Sequence, residues 1–198
     1  IKIIAVEAAA AASFTASLAA GKPVNAPVRP TLADGLAVGR VGDRSFALAA
    51  PRVDRVLTVD EQALSLAVLR LLELEKTSCE GAGAAALAAL MGEAGQELKG
   101  RKVVLLLCGG NIDPTVLHRV IDHGLAVDGR LWRFTATVSD RPGGMAKLTQ
   151  VIADAGASVL EINHDRAFSG PEVFSTTVEV TVETADHDHI QALRERLH

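Results

Sequence analysis

The sequence predicts an α/β protein in two parts: a parallel sheet with helices on both faces over residues 1–127, and a small βαββα sandwich over residues 128–198. Three observations predict it. Short strand-like runs in the first part are apolar along their whole length, as in strands buried on both faces of a parallel sheet. Helical stretches alternate with them. Around Val127-Asp128-Gly129-Arg130 the pattern changes to apolar and polar residues in strict alternation, the mark of strands with one buried face.

In the first part the predicted strands are Ile3–Val6, Arg55–Val59 and Lys102–Leu107. A helix is predicted over 60–76, with Thr58 and Glu61 at capping-box spacing. Its Leu64, Val68, Leu71 and Leu72 recur at helical spacing, while Ala63, Leu66, Ala67 and Leu69 fill other faces, so it is expected between other elements. The Ala/Gly-rich segment Gly81–Leu90 allows a helix to lie close to a neighbouring backbone or ligand.

In the second part Trp132, Phe134, Ala136 and Val138 form the inner face of a strand. Pro142 is expected to open a helix, where its missing amide is harmless. Met145, Leu148, Ile152 and Ala155 make the inner stripe of that helix and Gly156 ends it. Leu160 and Ile162 share one side of the next strand. After a turn at Ser169-Gly170-Pro171, Phe174, Thr176, Val178, Val180 and Val182 face one way, Glu179 and Glu183 the other. A last helix, capped by Asp186, buries Ile190, Leu193 and Leu197. A final strand would complete the sandwich, but the sequence stops at His198. It also opens in mid-strand at Ile1. Both ends are therefore expected to be truncations.

Apolar residues make up 48% of the chain and charged ones 22%, an ordinary globular composition. With a net charge of −4 and no Lys/Arg cluster, nucleic acid is not an expected partner. The longest apolar runs fall far short of the roughly 20 residues a membrane helix needs. Cys79 and Cys108 match no zinc spacing and read as reduced thiols of a cytoplasmic protein.

Cys108-Gly109-Gly110-Asn111-Ile112-Asp113 follows the third predicted strand, and ligands of open α/β sheets gather at such carboxyl ends. Two glycines there let a flat ring or a phosphate approach the backbone; a tight strand-to-helix turn is the plainer reading. Taken in order, Val6-Glu7, Leu32-Ala33-Asp34-Gly35, Cys79-Glu80-Gly81-Ala82-Gly83-Ala84 and Cys108-Gly109-Gly110-Asn111 resemble fold-type II pyridoxal-phosphate enzymes. Among these the chain is most similar to threonine/serine dehydratases (threonine ammonia-lyases), with serine racemase a near relative. Ser139-Asp140-Arg141-Pro142-Gly143-Gly144 and Glu161-Ile162-Asn163-His164-Asp165-Arg166 resemble an ACT domain, a ferredoxin-like amino-acid sensor.

The resemblance implies pyridoxal 5'-phosphate as cofactor. Cys108 then stands beside the cofactor's pyridine nitrogen, Gly109 and Gly110 beside the ring, Gly35 against it, and Glu80 near its edge. Read from the residues alone, Cys108 is a buried structural thiol, Glu80 a solvated acid at a helix start, and Asp34-Gly35 an ordinary turn. Gly81 departs from the Pro usual in the family after that Glu. Glu7, Ala11 and Ser13 match the family's cation site, but Ser13 replaces an acidic ligand, so a weakly held monovalent ion or none is expected. In the ACT-like part, Asp140, Pro142, Gly143, Asn163 and His164 are the implied effector residues. A plain dimer interface is the alternative.

The implied reaction is β-elimination of the hydroxyl of threonine or serine, giving a 2-oxo acid and ammonia, as in isoleucine biosynthesis or threonine catabolism. No lysine is marked as the Schiff-base residue, so this chain alone is expected to be inactive and to need the amino-terminal half of the catalytic domain. The resemblance also implies a homo-oligomer assembled through both domains, binding an amino-acid substrate and effector. Two other readings stand beside it: a non-catalytic amino-acid-binding regulatory fragment, and a serine-racemase-like enzyme.

Overall fold

A computed structural model describes residues 1–164 and 174–197. The chain divides into two compact units, Ile1–Gly124 and Leu125–His198.

In the first unit, β1 (Ile4–Ala8) pairs in parallel with β2 (Arg55–Val59), from Ile4 opposite Arg55 to Ala8 opposite Val59. The helices are α1 (Ser13–Ala20), α2 (Asp43–Ala49), α3 (Glu61–Leu74), α4 (Gly81–Met91), α5 (Glu93–Glu97) and α6 (Pro114–Val127). α3 buries Leu64, Ala67, Val68, Leu69 and Leu71, the broad apolar face its sequence shows. With Ala8, Val59, Ala84, Ala85 and Ala88, all of these but Leu69 form one core.

The capping-box reading of α3 needs correction. Its cap is Asp60, whose carboxylate accepts the amide of Ala63 at 2.8 Å; Glu61 turns instead toward Thr31 and Leu32. At the other end Lys76 adopts φ 53° beyond the last turn, a place more often taken by Gly.

The third predicted strand is the main departure. Residues 102–107 belong to neither sheet among the described residues, and Val104 and Leu106 are 88% and 75% exposed. An all-apolar strand is stable only with neighbours on its edges and layers over its faces. β1 and β2 pair with each other, and the run joins neither.

The second unit is a sheet of order β3-β5-β4 covered by two helices: β3 (Leu131–Ser139), α7 (Gly144–Asp154), β4 (Ser158–His164), β5 (Ser175–Glu183) and α8 (His187–Leu197). All pairs are antiparallel. Val178, Val180, Val182, Leu148, Ile152 and Leu193 close the core, with Trp132, Phe134 and Ile162 packed against it. Trp132 and Phe134 stack at 4.5 Å.

Three details differ from the sequence reading. Pro142 lies before α7, which Gly143 opens at φ 97°. Phe174 is 66% exposed at the turn into β5, outside the core. Leu160 sits at a register shift between Val159 and Glu161 and is 55% exposed, so only Ile162 points inward. The Ser169-Gly170-Pro171 turn and Asp165-Arg166 lie outside the described residues. Asp186 caps α8 as expected, accepting the amide of His189 at 2.8 Å.

Candidate functional site

The amino end of α4 is the centre of the first candidate site. Glu80 precedes the helix in extended conformation and is half-buried. The segment Cys108–Gly110 lies across it. The Gly109 carbonyl accepts the Glu80 amide at 3.3 Å and the Cys79 thiol at 3.2 Å. Gly109 has φ +105°, and a Cβ there would run into the Glu80 carboxylate. Only glycine meets both demands. Gly35 lies on the other side: a Cβ on it would be 3.1 Å from Ala82 Cβ and 3.6 Å from Glu80 Oε1. The structure therefore brings Gly35, Glu80, Gly109 and Gly110 together, with Cys108 exposed beside them.

The plain reading of Cys108 as a buried thiol fails, because the buried cysteine is Cys79. Desolvation, then the charges of Glu80 and Cys108, pushes the Cys79 thiol above its ordinary range. Asp34-Gly35 does form a turn, a short 3₁₀ segment in which Asp34 Oδ1 accepts the Gly35 amide at 2.8 Å.

Cys79 and Gly83 were not among the predicted site residues. A Cβ on Gly83 would lie 2.5 Å from the Cys108 carbonyl and 2.6 Å from Cys79 Sγ, so this glycine admits the 108–109 backbone against α4. The available signal was that both stand in the Cys79–Ala84 motif, on either side of Glu80.

The second candidate site is a cavity of about 310 Å³ in the second unit. Asp140, Pro142, Gly143 and His164 line it together, with His164 Nε2 3.9 Å from Asp140 Oδ1. Asn163 does not line it; its amide donates to Glu161 Oε1 at 3.2 Å. Strand alternation turns adjacent side chains to opposite faces, so Asn163 and His164 cannot both face this cavity. Sequence reasoning missed Arg141, Met145 and Thr176 in its wall. The Arg141 guanidinium sits 4.9 Å over the Phe174 ring, a cation–π contact at the cavity's rim.

Glu7, Ala11 and Ser13 meet at the amino end of α1. Glu7 uses both oxygens there, accepting the amides of Phe14 at 2.7 Å and Thr15 at 2.8 Å and the Thr15 hydroxyl at 2.7 Å. The Ala11 carbonyl accepts the Ser13 amide at 3.0 Å. Among the described residues no group of three or more His, Cys, Asp or Glu could hold a metal, and no helix is long and apolar enough to cross a membrane.

Residues 1–109, more than half of the chain, match the family model described as pyridoxal-phosphate dependent enzyme. The chain belongs to that family. Residues 134–198 match the model of the ACT domain. The L-threonine ammonia-lyase of Thermotoga maritima is 36% identical over 193 residues, which cover 98% of this chain and 48% of that protein. The L-threonine ammonia-lyase of Geobacter sulfurreducens is 41% identical over 191 residues, 96% of this chain and 47% of that protein. The processed form of threonine deaminase isoform 2 from Solanum lycopersicum superposes with a TM-score of 0.58 at 32% identity, over 62% of this chain and 36% of that one. The chain thus spans about half the length of the two ammonia-lyases. The match supports a fold-type II layer followed by a ferredoxin-like ACT unit.

The residues gathered at the amino end of α4 are of a chemistry that fits the family's cofactor. The ring nitrogen would need a small polar partner, and the Cys108 thiol, exposed next to Gly109 and Gly110, is a group of that kind.

Proposed function

We propose that this chain is the carboxy-terminal part of a pyridoxal-phosphate-dependent threonine/serine dehydratase, with residues 1–127 in the catalytic domain and 128–198 as its regulatory ACT domain. The observation that carries the reading is the meeting of Gly35 and Gly109 at Glu80, with the exposed Cys108 next to Gly109 in the chain. When bound, the cofactor supplies an electron-withdrawing ring that acidifies the substrate's α-carbon. The residues of this chain hold and tune it. Cys108 would hold the ring nitrogen, and a thiol, unlike a carboxylate, would not keep that nitrogen protonated, which would favour β-elimination over deeper carbanion chemistry. Glu80 would flank the ring's edge, and the buried Cys79 thiol anchors the 108–110 turn through the Gly109 carbonyl.

The proton-abstracting lysine belongs to the amino-terminal half of the catalytic domain in this proposal, so the 198 residues alone do not turn over substrate. The complete polypeptide works in the cytoplasm on threonine, toward isoleucine, or in threonine catabolism, as a homo-oligomer. No catalytic part is assigned to a cation at Glu7, Ala11 and Ser13, because helix amides already use both Glu7 oxygens. The test is ammonia and 2-oxobutyrate release from threonine by the complete, cofactor-loaded polypeptide. A folded, loaded protein with no turnover sinks the proposal.

The cavity lined by Asp140, Arg141, Gly143 and His164 supports the regulatory half. Its volume suits a free amino acid: Asp140 faces the ammonium, the first amides of α7 and the Arg141 guanidinium the carboxylate, and Val138 and Met145 an apolar side chain. Calorimetry with isoleucine, valine, threonine and serine checks this. Absence of heat with all four, on well-folded protein, removes the effector role and leaves a plain interface.

A further inference from the structure

Glu61 is the first residue of α3, yet its carboxylate serves another segment. Oε1 accepts the Thr31 hydroxyl at 2.5 Å, and Oε2 accepts the Leu32 amide at 2.7 Å. Thr31 Oγ1 accepts the Ala33 amide at 3.1 Å in turn. The helix itself does not need Glu61 as a cap, since Asp60 already satisfies the Ala63 amide.

What Glu61 grips is the chain leading to Gly35. The preceding stretch, 23–31, has no regular secondary structure. Beyond the grip, the Leu32 carbonyl lies so close to Gly81 that any side chain there would collide with it. Ala33 is fully buried, and Gly35 then faces Ala82 and Glu80. Apolar contacts of Leu32 and Ala33 hold this segment against the core, but such contacts are not directional. Two hydrogen bonds to one carboxylate are directional and stronger than neutral ones. They set the rotation of the backbone about its own axis.

We infer that Glu61 is a positioning residue: through Thr31 and Leu32 it fixes residues 32–35 against the amino end of α4 and so sets the face that Gly35 offers to the cofactor. The inference rests on reading that cleft as the cofactor site, and it adds to that reading a residue that does not touch the cofactor.

Two variants separate positioning from plain stability. Glu61→Gln keeps the shape but removes the charge and one acceptor oxygen: the Thr31 hydroxyl loses its acceptor and can only turn to accept from the new NH2 group, so both contacts become weaker, neutral ones. Asp60→Ala removes the cap of the same helix and touches nothing in 31–35. Amide hydrogen exchange is read on the 198-residue chain, and pyridoxal 5'-phosphate affinity on the complete polypeptide. In Glu61→Gln the amides of Leu32 and Ala33 should exchange about tenfold faster, and cofactor affinity should fall about tenfold, the scale of one lost hydrogen bond to a charged group. Asp60→Ala should lower the melting temperature and leave both readings unchanged. Unchanged exchange in Glu61→Gln overturns the inference, and so does a parallel loss of affinity in the two variants. If the unmodified complete polypeptide takes up no pyridoxal 5'-phosphate, the reading of the cleft fails and the cofactor half of the inference falls with it; the exchange experiment still decides whether Glu61 holds the loop.

Discussion

The sheets of the two units meet the predicted strands differently. In the second unit every predicted strand is paired, β3 with β5 from Leu131–Glu183 to Ser139–Ser175, and Val178, Val180 and Val182 are fully buried. In the first unit two of three predicted strands pair, while the third, equally apolar, lies exposed at residues 102–107. Apolar patterning states what a segment would bury; a sheet forms only where neighbours reach it. Alternating strands with one polar face are completed by one helical layer, whereas all-apolar strands need partners on every side.

The sharpest way to break this comparison is to truncate one side chain in each region. Ile152 is fully buried against β5, so Ile152→Ala should cost about 2–5 kcal/mol of second-unit stability. Trp132 is the chain's one tryptophan and packs against that core, so its fluorescence in a denaturant titration reads the loss directly. Leu106→Ala should stay within about 0.5 kcal/mol, because its side chain is 75% exposed. Equal costs would mean that residues 102–107 are buried in solution.

A smaller effect tests the backbone of the candidate site. Gly109→Ala combines a positive φ with a collision against Glu80, and should destabilise the 108–110 turn by about 1–3 kcal/mol. Hydrogen exchange at Glu80, whose amide bonds the Gly109 carbonyl, should speed up while α3 is unaffected. Protection unchanged at Glu80 would show that the turn is not held as described.

Much of this was legible in residue order, and the failures have physical causes. The span of β2 and the Asp186 cap follow from local pattern alone, since both depend on residues within a few positions. Leu160 failed because a bulge adds one residue and reverses the alternation, which no period-2 count can register. α1 and α2 were not foreseen: Ser13–Ala20 is nearly all small residues and lacks an amphipathic stripe, and its amino end is capped by Glu7 from the preceding strand. In the first candidate site, Gly35, Glu80, Cys108, Gly109 and Gly110 could be proposed from motif order, while the reason Gly83 must be glycine is visible only once residues 108–109 lie across α4. In the second, Asn163 was placed one residue out of phase with the cavity face that His164 occupies.

Helix capping offers a gentler comparison. Asp186→Ala removes the carboxylate that accepts the His189 amide, and should lower second-unit stability by about 1 kcal/mol. The Trp132 signal serves again, because α8 carries Arg194 over that ring at 5.5 Å. A loss as large as that of Ile152→Ala would mean α8 is held by its cap rather than by Leu193.

The two thiols give the smallest effect and the most direct contrast within one site. Cys79 is buried with its thiol pushed upward, chiefly by desolvation, while Cys108 is exposed. Iodoacetamide near neutral pH should therefore label Cys108 first, with Cys79 modified only as the fold opens. The sign of the pH dependence follows from the raised value. The folded state holds the Cys79 proton more tightly than the unfolded state does, so its contribution to stability is complete below the unfolded thiol pKa. That contribution fades as pH rises toward and through the higher folded value. Cys79→Ser should flatten this alkaline loss, and Cys108→Ser should leave it unchanged. Equal labelling rates for the two cysteines in the folded chain would contradict the burial of Cys79 and, with it, the thiol-to-Gly109 contact that anchors the turn.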